Sequence, residues 1–220
     1  VRDIVSFLKY AGPDHNPLAG TIDHAYAFGR SQSGRFLRQY VHLGLNKDET
    51  GRMALDGILA HVAGGMRGEF NLRFGQPSKD ICFICPELFP FTDLPQRDPV
   101  SGETGSLLAS LEKHGVLPRI IFINTSSEYW RGDAALIHTD LETMSDAPEH
   151  ESVRRYHFAG TQHGSGEFPP MVRRPSDDIR GQVPFNTVDY NPLLRAVLDS
   201  LHKWVSTDKS APPSKHPSVD

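Results

Sequence analysis

An α/β fold built on a mostly parallel, helix-covered sheet is what this 220-residue sequence predicts, and three observations predict it. Short, dense apolar runs such as Ile58 to Ala63 and Arg119 to Asn124 are separated by segments whose apolar residues recur at helical spacing. Arg119 to Asn124 has the composition of a strand that fills a sheet centre and is covered on both faces. Polar loops follow the ends of these runs, where open α/β sheets bind their ligands.

Each element has its own local reason. Val1 to Leu8 reads as an apolar-faced helix, and Ile22 to Phe28 as a short strand that ends at Gly29. Phe36, Leu37, Tyr40 and Val41 then recur at helical spacing, so a sharp turn and a helix follow, ending near Gly44. Asn46 to Gly51 is a polar loop before the strand at Ile58 to Ala63. Residues 64–118 are rich in Gly and Pro and hold one convincing helix, around Thr104 to His114 with Gly115 as its C-cap; this stretch reads as a lid or insertion. Strands follow at Arg119 to Asn124 and Val153 to Ala159. Asn191 and Pro192 start a last helix with an apolar stripe of Leu194, Val197, Leu198, Leu201, Trp204 and Val205. Residues 1–205 thus make one domain, and the Pro, Ser and Lys-rich tail 206–220 is expected to be disordered.

Composition narrows the function. The formal net charge is −4 and no Lys/Arg block is dense enough for a phosphate footprint, which argues against nucleic acid as a partner. No apolar run approaches the roughly 18 residues of a membrane span, and Val1 to Tyr10 lacks the regions of a signal peptide. There is no initiator Met, and upstream sequence is expected. Cys82 and Cys85 form a Cys-x-x-Cys in a Pro-rich stretch; two ligands do not complete a four-ligand zinc site, so a structural or incidental role is expected. His138-x-Asp140 has no partner at a metal-binding spacing, so neither a metal nor any other cofactor is expected.

The strongest chemical signal is Gly29-Arg30-Ser31-Gln32-Ser33-Gly34 between a strand and a helix, the context of a nucleophile elbow. A Ser on so sharp a turn is strained, and small residues two positions before and after it let strand and helix backbones approach. Gly29 and Ser33 supply them, with Ser where Gly is usual. Ser31 is the candidate nucleophile, Ser33 its rival, and the backbone N–H of Gln32 at the helix start a candidate oxyanion donor.

A serine nucleophile needs a base and a carboxylate that orients the base. Beyond the strand at Arg119 to Asn124 stand Glu128 and, after Gly132, Asp133; Glu128 lies closer to the strand end and is preferred. Beyond the next strand His163 sits in the Gly-flanked loop Gly160-Thr161-Gln162-His163-Gly164. The chain order Ser31, Glu128, His163 is the order in which such sheets carry the three groups. His61, His157 and His202 fall on predicted strands and a helix and read as structural. Tyr129 and Trp130 beside the acid are candidates to stack on a substrate ring, or to anchor the loop.

With these residues in place, the sequence resembles a family of bacterial and fungal alpha/beta hydrolase domain-containing proteins. The similar stretches are Val1-Arg2-Asp3, Ser31 to Arg38, Gly51-Arg52 with Asp56-Gly57, Asn124 to Trp130, and Ala159 to Gly164. The resemblance implies an alpha/beta-hydrolase fold of which this chain is the C-terminal part, without the N-terminal strands and the loop that donates the second oxyanion N–H. It implies a serine hydrolase working through Ser31, Glu128 and His163, with a small carboxylic ester as the default substrate. A distant similarity to glucuronoyl and acetyl xylan esterases brings in carbohydrate esters. The alternatives are a non-catalytic binding module on the same scaffold, an inactive fragment of a longer hydrolase, and acyl transfer or C–C cleavage.

Overall fold

The computed structural model describes residues 1–68, 70, 73, 89–131, 133–175 and 177–219. The expectations for Cys82 and Cys85 lie outside the described residues. Helix α1 (Arg2–Tyr10) leads to strand β1 (Tyr26–Arg30), helix α2 (Gln32–His42) and strand β2 (Gly57–His61). Next come the two-residue strands β3 (Gln96–Arg97) and β4 (Thr104–Gly105), helix α3 (Ala109–His114) and strand β5 (Arg119–Thr125). Helix α4 (Ser126–Arg131), a 3-10 turn (Ala134–Ile137), strand β6 (Val153–Phe158) and helix α5 (Asn191–Thr207) complete the order.

The main sheet runs β1-β2-β5-β6 with every pairing parallel. Side chains alternate across it, and the alternation divides the core in two. Ile58, Ala60, Ile120 and Phe122 face one way and pack with Leu37, Tyr40 and Val41 of α2 and Leu107, Leu108 and Leu111 around α3. Leu59, Ile121 and Ile123 face the other way, against Leu201 and Trp204 of α5. Both faces are covered, which is why these strands read as unbroken apolar runs. β1 forms one border of the sheet, where Phe28 is 53% exposed.

Two expectations change. In the described part of 64–118, Leu107, Leu108, Leu111 and Val116 are buried in the core, so the stretch around α3 is part of the domain body and not of a lid. Its flanks are pinned by buried arginines: Arg38 donates to the carbonyls of Gly65 and Phe91, and Arg67 to Gln39 Oε1 and the Phe89 carbonyl. Burial, followed by repulsion from Arg67, lowers Arg38 to about 9. The expected helix over Thr104 to His114 begins at Ala109, because Thr104 and Gly105 pair with β3; Gly115 caps it in the left-handed region at φ 66°.

The tail also differs from the expected disorder. β6 borders the sheet and its outward backbone groups need partners. The tail supplies them: His157 N–H donates to the Lys215 carbonyl (2.8 Å), Lys215 N–H to the Arg155 carbonyl (2.9 Å), and Arg155 N–H to Ser214 Oγ (2.7 Å). Pro-rich sequence suits such an edge, since extended backbone needs no helical N–H.

Candidate active site

β1 delivers Ser31 to the end of the sheet, and the fold holds it in a strained turn. Ser31 has φ 56° and ψ −118°, a conformation that costs a non-glycine residue on the order of 1–3 kcal/mol. Its N–H is tied to the His61 carbonyl (2.8 Å) at the end of β2, and its own carbonyl accepts from Arg35 N–H (3.0 Å) in the first turn of α2. Gly29 is needed where it stands, since a Cβ there would overlap the Ser33 carbonyl and lie 2.8 Å from Leu37 Cδ1. On the helix side the tightest approach falls at Gly34, where a Cβ would sit 3.0 Å from the Gly29 carbonyl oxygen and 3.1 Å from Ala63 Cβ. Ser33 is exposed, which explains how Ser replaces the usual Gly there. Gln32 opens α2, which places its N–H at the positive end of the helix, next to Ser31.

The parallel register then makes neighbours of groups distant in sequence. β5 runs directly into α4, whose turn buries Glu128 completely. Thr125 N–H (2.8 Å) and Thr125 Oγ1 (2.6 Å) both donate to Glu128 Oε2, leaving Oε1 for His163 Nδ1 at 2.6 Å. Burial pulls the carboxyl upward, but the hydrogen bonds from His163 and Thr125 outweigh it and hold Glu128 below the usual carboxylate range. An ionised Glu128 accepts only, so His163 carries its proton on Nδ1. The lone pair on Nε2 then faces Ser31 Oγ, 3.0 Å away.

His163 is held from several sides. Its N–H donates to Ser127 Oγ (3.0 Å), and its carbonyl accepts from Tyr190 Oη (2.9 Å) and Arg30 (3.1 Å). Its side chain remains 39% exposed, so the imidazole is reachable from outside. Beyond it, Arg30, Gly164, Ser165, Glu167, Arg174 and Asp177 line a polar depression beside the loop.

Asp133, the rival acid, is buried in a two-point ion pair with Arg131 (2.9 and 3.1 Å). Tyr129 departs from the substrate-stacking expectation: its hydroxyl meets His138 Nε2 at 3.0 Å and its ring packs on His157, so it anchors its loop. Trp130 is 90% exposed. His61 is buried, its ring against Phe28 and Tyr190, and burial followed by the Arg30 charge lowers it to about 4. His157 meets Ser126, and His202 meets Tyr26. Sequence reading did not single out Thr125, Ser127, Arg30 or Tyr190. Thr125 and Ser127 shortly precede Glu128 in the stretch Asn124 to Trp130, whereas Arg30 and Tyr190 carried no signal of their own.

A parallel sheet covered on both faces, with a strained serine on a strand-turn-helix connection, defines an α/β protein of the hydrolase type. The family model described as alpha/beta hydrolase domain matches residues 1–219, and the chain belongs to that family, which points to a hydrolase-type function. No curated protein and no solved structure matches it. Among the described residues no helix is long and apolar enough to cross a membrane.

Proposed function

We propose that this chain carries the machinery of a serine hydrolase acting on carboxylic esters, with Ser31 as nucleophile, His163 as general base and Glu128 as the group that orients it. The observation that carries the reading is the continuous line from Glu128 Oε1 to His163 Nδ1 (2.6 Å) and from His163 Nε2 to Ser31 Oγ (3.0 Å).

In this mechanism His163 Nε2 takes the Ser31 hydroxyl proton as Oγ attacks the ester carbonyl carbon. The imidazolium so formed carries a proton on each nitrogen and is stabilised by ionised, buried Glu128. The tetrahedral oxyanion gains from the Gln32 N–H and the positive end of α2. Collapse expels the alcohol, which takes the proton from Nε2, and leaves an acyl-Ser31 ester. Water, deprotonated by the same Nε2, then releases the acid and restores Ser31. The exposed edge of His163 gives that water a route.

A fluorophosphonate probe tests the assignment on the full-length protein. Ser31→Ala is expected to abolish labelling, while Ser33→Ala retains it. A Ser31→Ala protein that still labels, with the adduct on Ser33, overturns the nucleophile assignment. A folded wild-type protein that does not label favours the non-catalytic binding module.

A further inference from the structure

The 3-10 turn Ala134–Ile137 ends on His138, whose ring is buried at 1% exposure. Its Nε2 meets Tyr129 Oη at 3.0 Å. Its Nδ1 is buried and makes no hydrogen bond, although Asp146 Oδ1 stands 3.4 Å from it. The tail brings a third group to the same place: the His216 ring stacks on His138 with centroids 4.0 Å apart. One ligand atom from each of His138, Asp146 and His216 lies within 4.8 Å of the others.

We propose that His138, Asp146 and His216 form a structural site for a divalent transition-metal ion of the zinc type, which clamps the tail onto the body of the domain.

Three features argue for it. Two imidazoles and a carboxylate are a nitrogen and oxygen donor set of the kind zinc takes, with a fourth position left for water. In a tetrahedral site with bonds of about 2.0–2.1 Å, neighbouring ligand atoms lie about 3.3–3.4 Å apart. The separation of His138 Nδ1 and Asp146 Oδ1 is 3.4 Å. The outward nitrogens are also engaged as metal-bound histidines require. His138 Nε2–H can donate to Tyr129, which leaves Nδ1 a lone pair, and His216 Nδ1 meets the Pro217 carbonyl (2.9 Å), which leaves Nε2. Without a cation, that tautomer sets the lone pair of Nδ1 against a carboxylate oxygen.

The supporting frame is built from backbone. Ala147 N–H donates to the His138 carbonyl (2.8 Å), and Thr139 bridges Asp146, so the loop between the first two ligands is closed on itself. Asp146 Oδ1 also accepts from Val219 N–H at 3.2 Å. His216 follows Lys215, which is hydrogen-bonded to β6 on both its backbone sides. His216 has to close in and turn its ring out of the stack on His138, so that Nε2 faces the ion held by the other two. Sequence spacing carried no such signal, because His216 reaches the other two through the edge pairing of the tail.

The test is titration of the metal-free full chain with Zn²⁺ by calorimetry and with Co²⁺ by visible absorption, alongside Asp146→Asn and His216→Gln. Both positions are open enough for the variants to fold. The expected result is one ion per chain and a tetrahedral cobalt spectrum. Each variant should bind more weakly by at least the roughly 10- to 100-fold that loss of an outer partner alone costs. Zn²⁺ should also slow hydrogen exchange at the Lys215 amide in wild type and not in His216→Gln. Binding that survives unchanged in His216→Gln, or no stoichiometric binding in wild type, overturns the site. In the latter case His138 Nδ1–H is loosely shared with Asp146 and Tyr129 donates to Nε2. Fluorophosphonate labelling at Ser31 reads the other proposal separately.

Discussion

Replacing Glu128 by Gln keeps the side-chain shape and removes its charge, and the local hydrogen bonds dictate how the site responds. Thr125 presents two donors to Glu128 Oε2, a backbone N–H at 2.8 Å and a hydroxyl at 2.6 Å. The N–H cannot turn into an acceptor, so the single oxygen of the new amide is held there and its NH₂ is turned toward His163. His163 Nδ1 must then accept, its proton moves to Nε2, and Ser31 Oγ faces a donor in place of a base. In the serine protease triad the corresponding carboxylate-to-amide change lowers kcat about 10⁴-fold. At about 1.36 kcal/mol per decade, that is roughly 5 kcal/mol of lost transition-state stabilisation. The same loss is expected here in the second-order rate of fluorophosphonate labelling, with circular dichroism reporting an intact fold. A labelling rate within tenfold of wild type refutes the orienting role of Glu128. The substitution has a pH signature as well. Glu128 is held below the usual carboxylate range, so its stabilisation is full above about pH 4.3 and is lost as pH falls through its lowered value. The difference in urea midpoint between wild type and Glu128→Gln should therefore close on acidification.

Gly29→Ala drives a methyl group into the Ser33 carbonyl, which is backbone and cannot yield cheaply; labelling at Ser31 should be lost and the melting temperature lowered. Burial, ahead of nearby arginine charges, lowers both His42 and His61 to about 4. The unfolded chain takes up protons near pH 6.5 that the folded chain refuses, so stability should fall between about pH 6.5 and 4. Urea midpoints at pH 7 and 5 check this, and His61→Gln should flatten the slope. Asp93 and Arg155 form an ion pair buried on both sides, and Asp93 also accepts from His150 N–H (2.6 Å). Asp93→Ala strands a buried guanidinium and should cost about 3–5 kcal/mol by chemical denaturation; a loss under about 1 kcal/mol contradicts a structural role for the pair.

What the sequence determined by itself was local or periodic. Unbroken apolar runs marked strands covered on both faces, as Ile58 to Ala60 and Ile120 to Ile123 are. Gly115 announced the end of α3 because only a left-handed residue closes a helix that way cheaply. The chain order of Ser31, Glu128 and His163 at three strand ends was legible too, and parallel pairing of β1, β2, β5 and β6 turns that order into proximity. The sequence preferred Glu128 over Asp133 from its nearness to the strand end, and the tertiary structure supplied the contact of Glu128 with His163 and the separate partner of Asp133. Asp133 is taken by Arg131 and Glu128 is turned inward by Thr125, both near neighbours in the chain, but the meeting of Glu128 with His163, 35 residues on, comes from the pairing of β5 with β6. The tertiary structure also placed Tyr129, read from sequence as either a stacking ring or a loop anchor, against His138 and His157 as an anchor, and it laid an apparently disordered tail along β6. Sequence periodicity reports which face of an element is buried. Which donor meets which acceptor, and which unpaired strand edge a polar segment completes, depends on elements that only folding brings together.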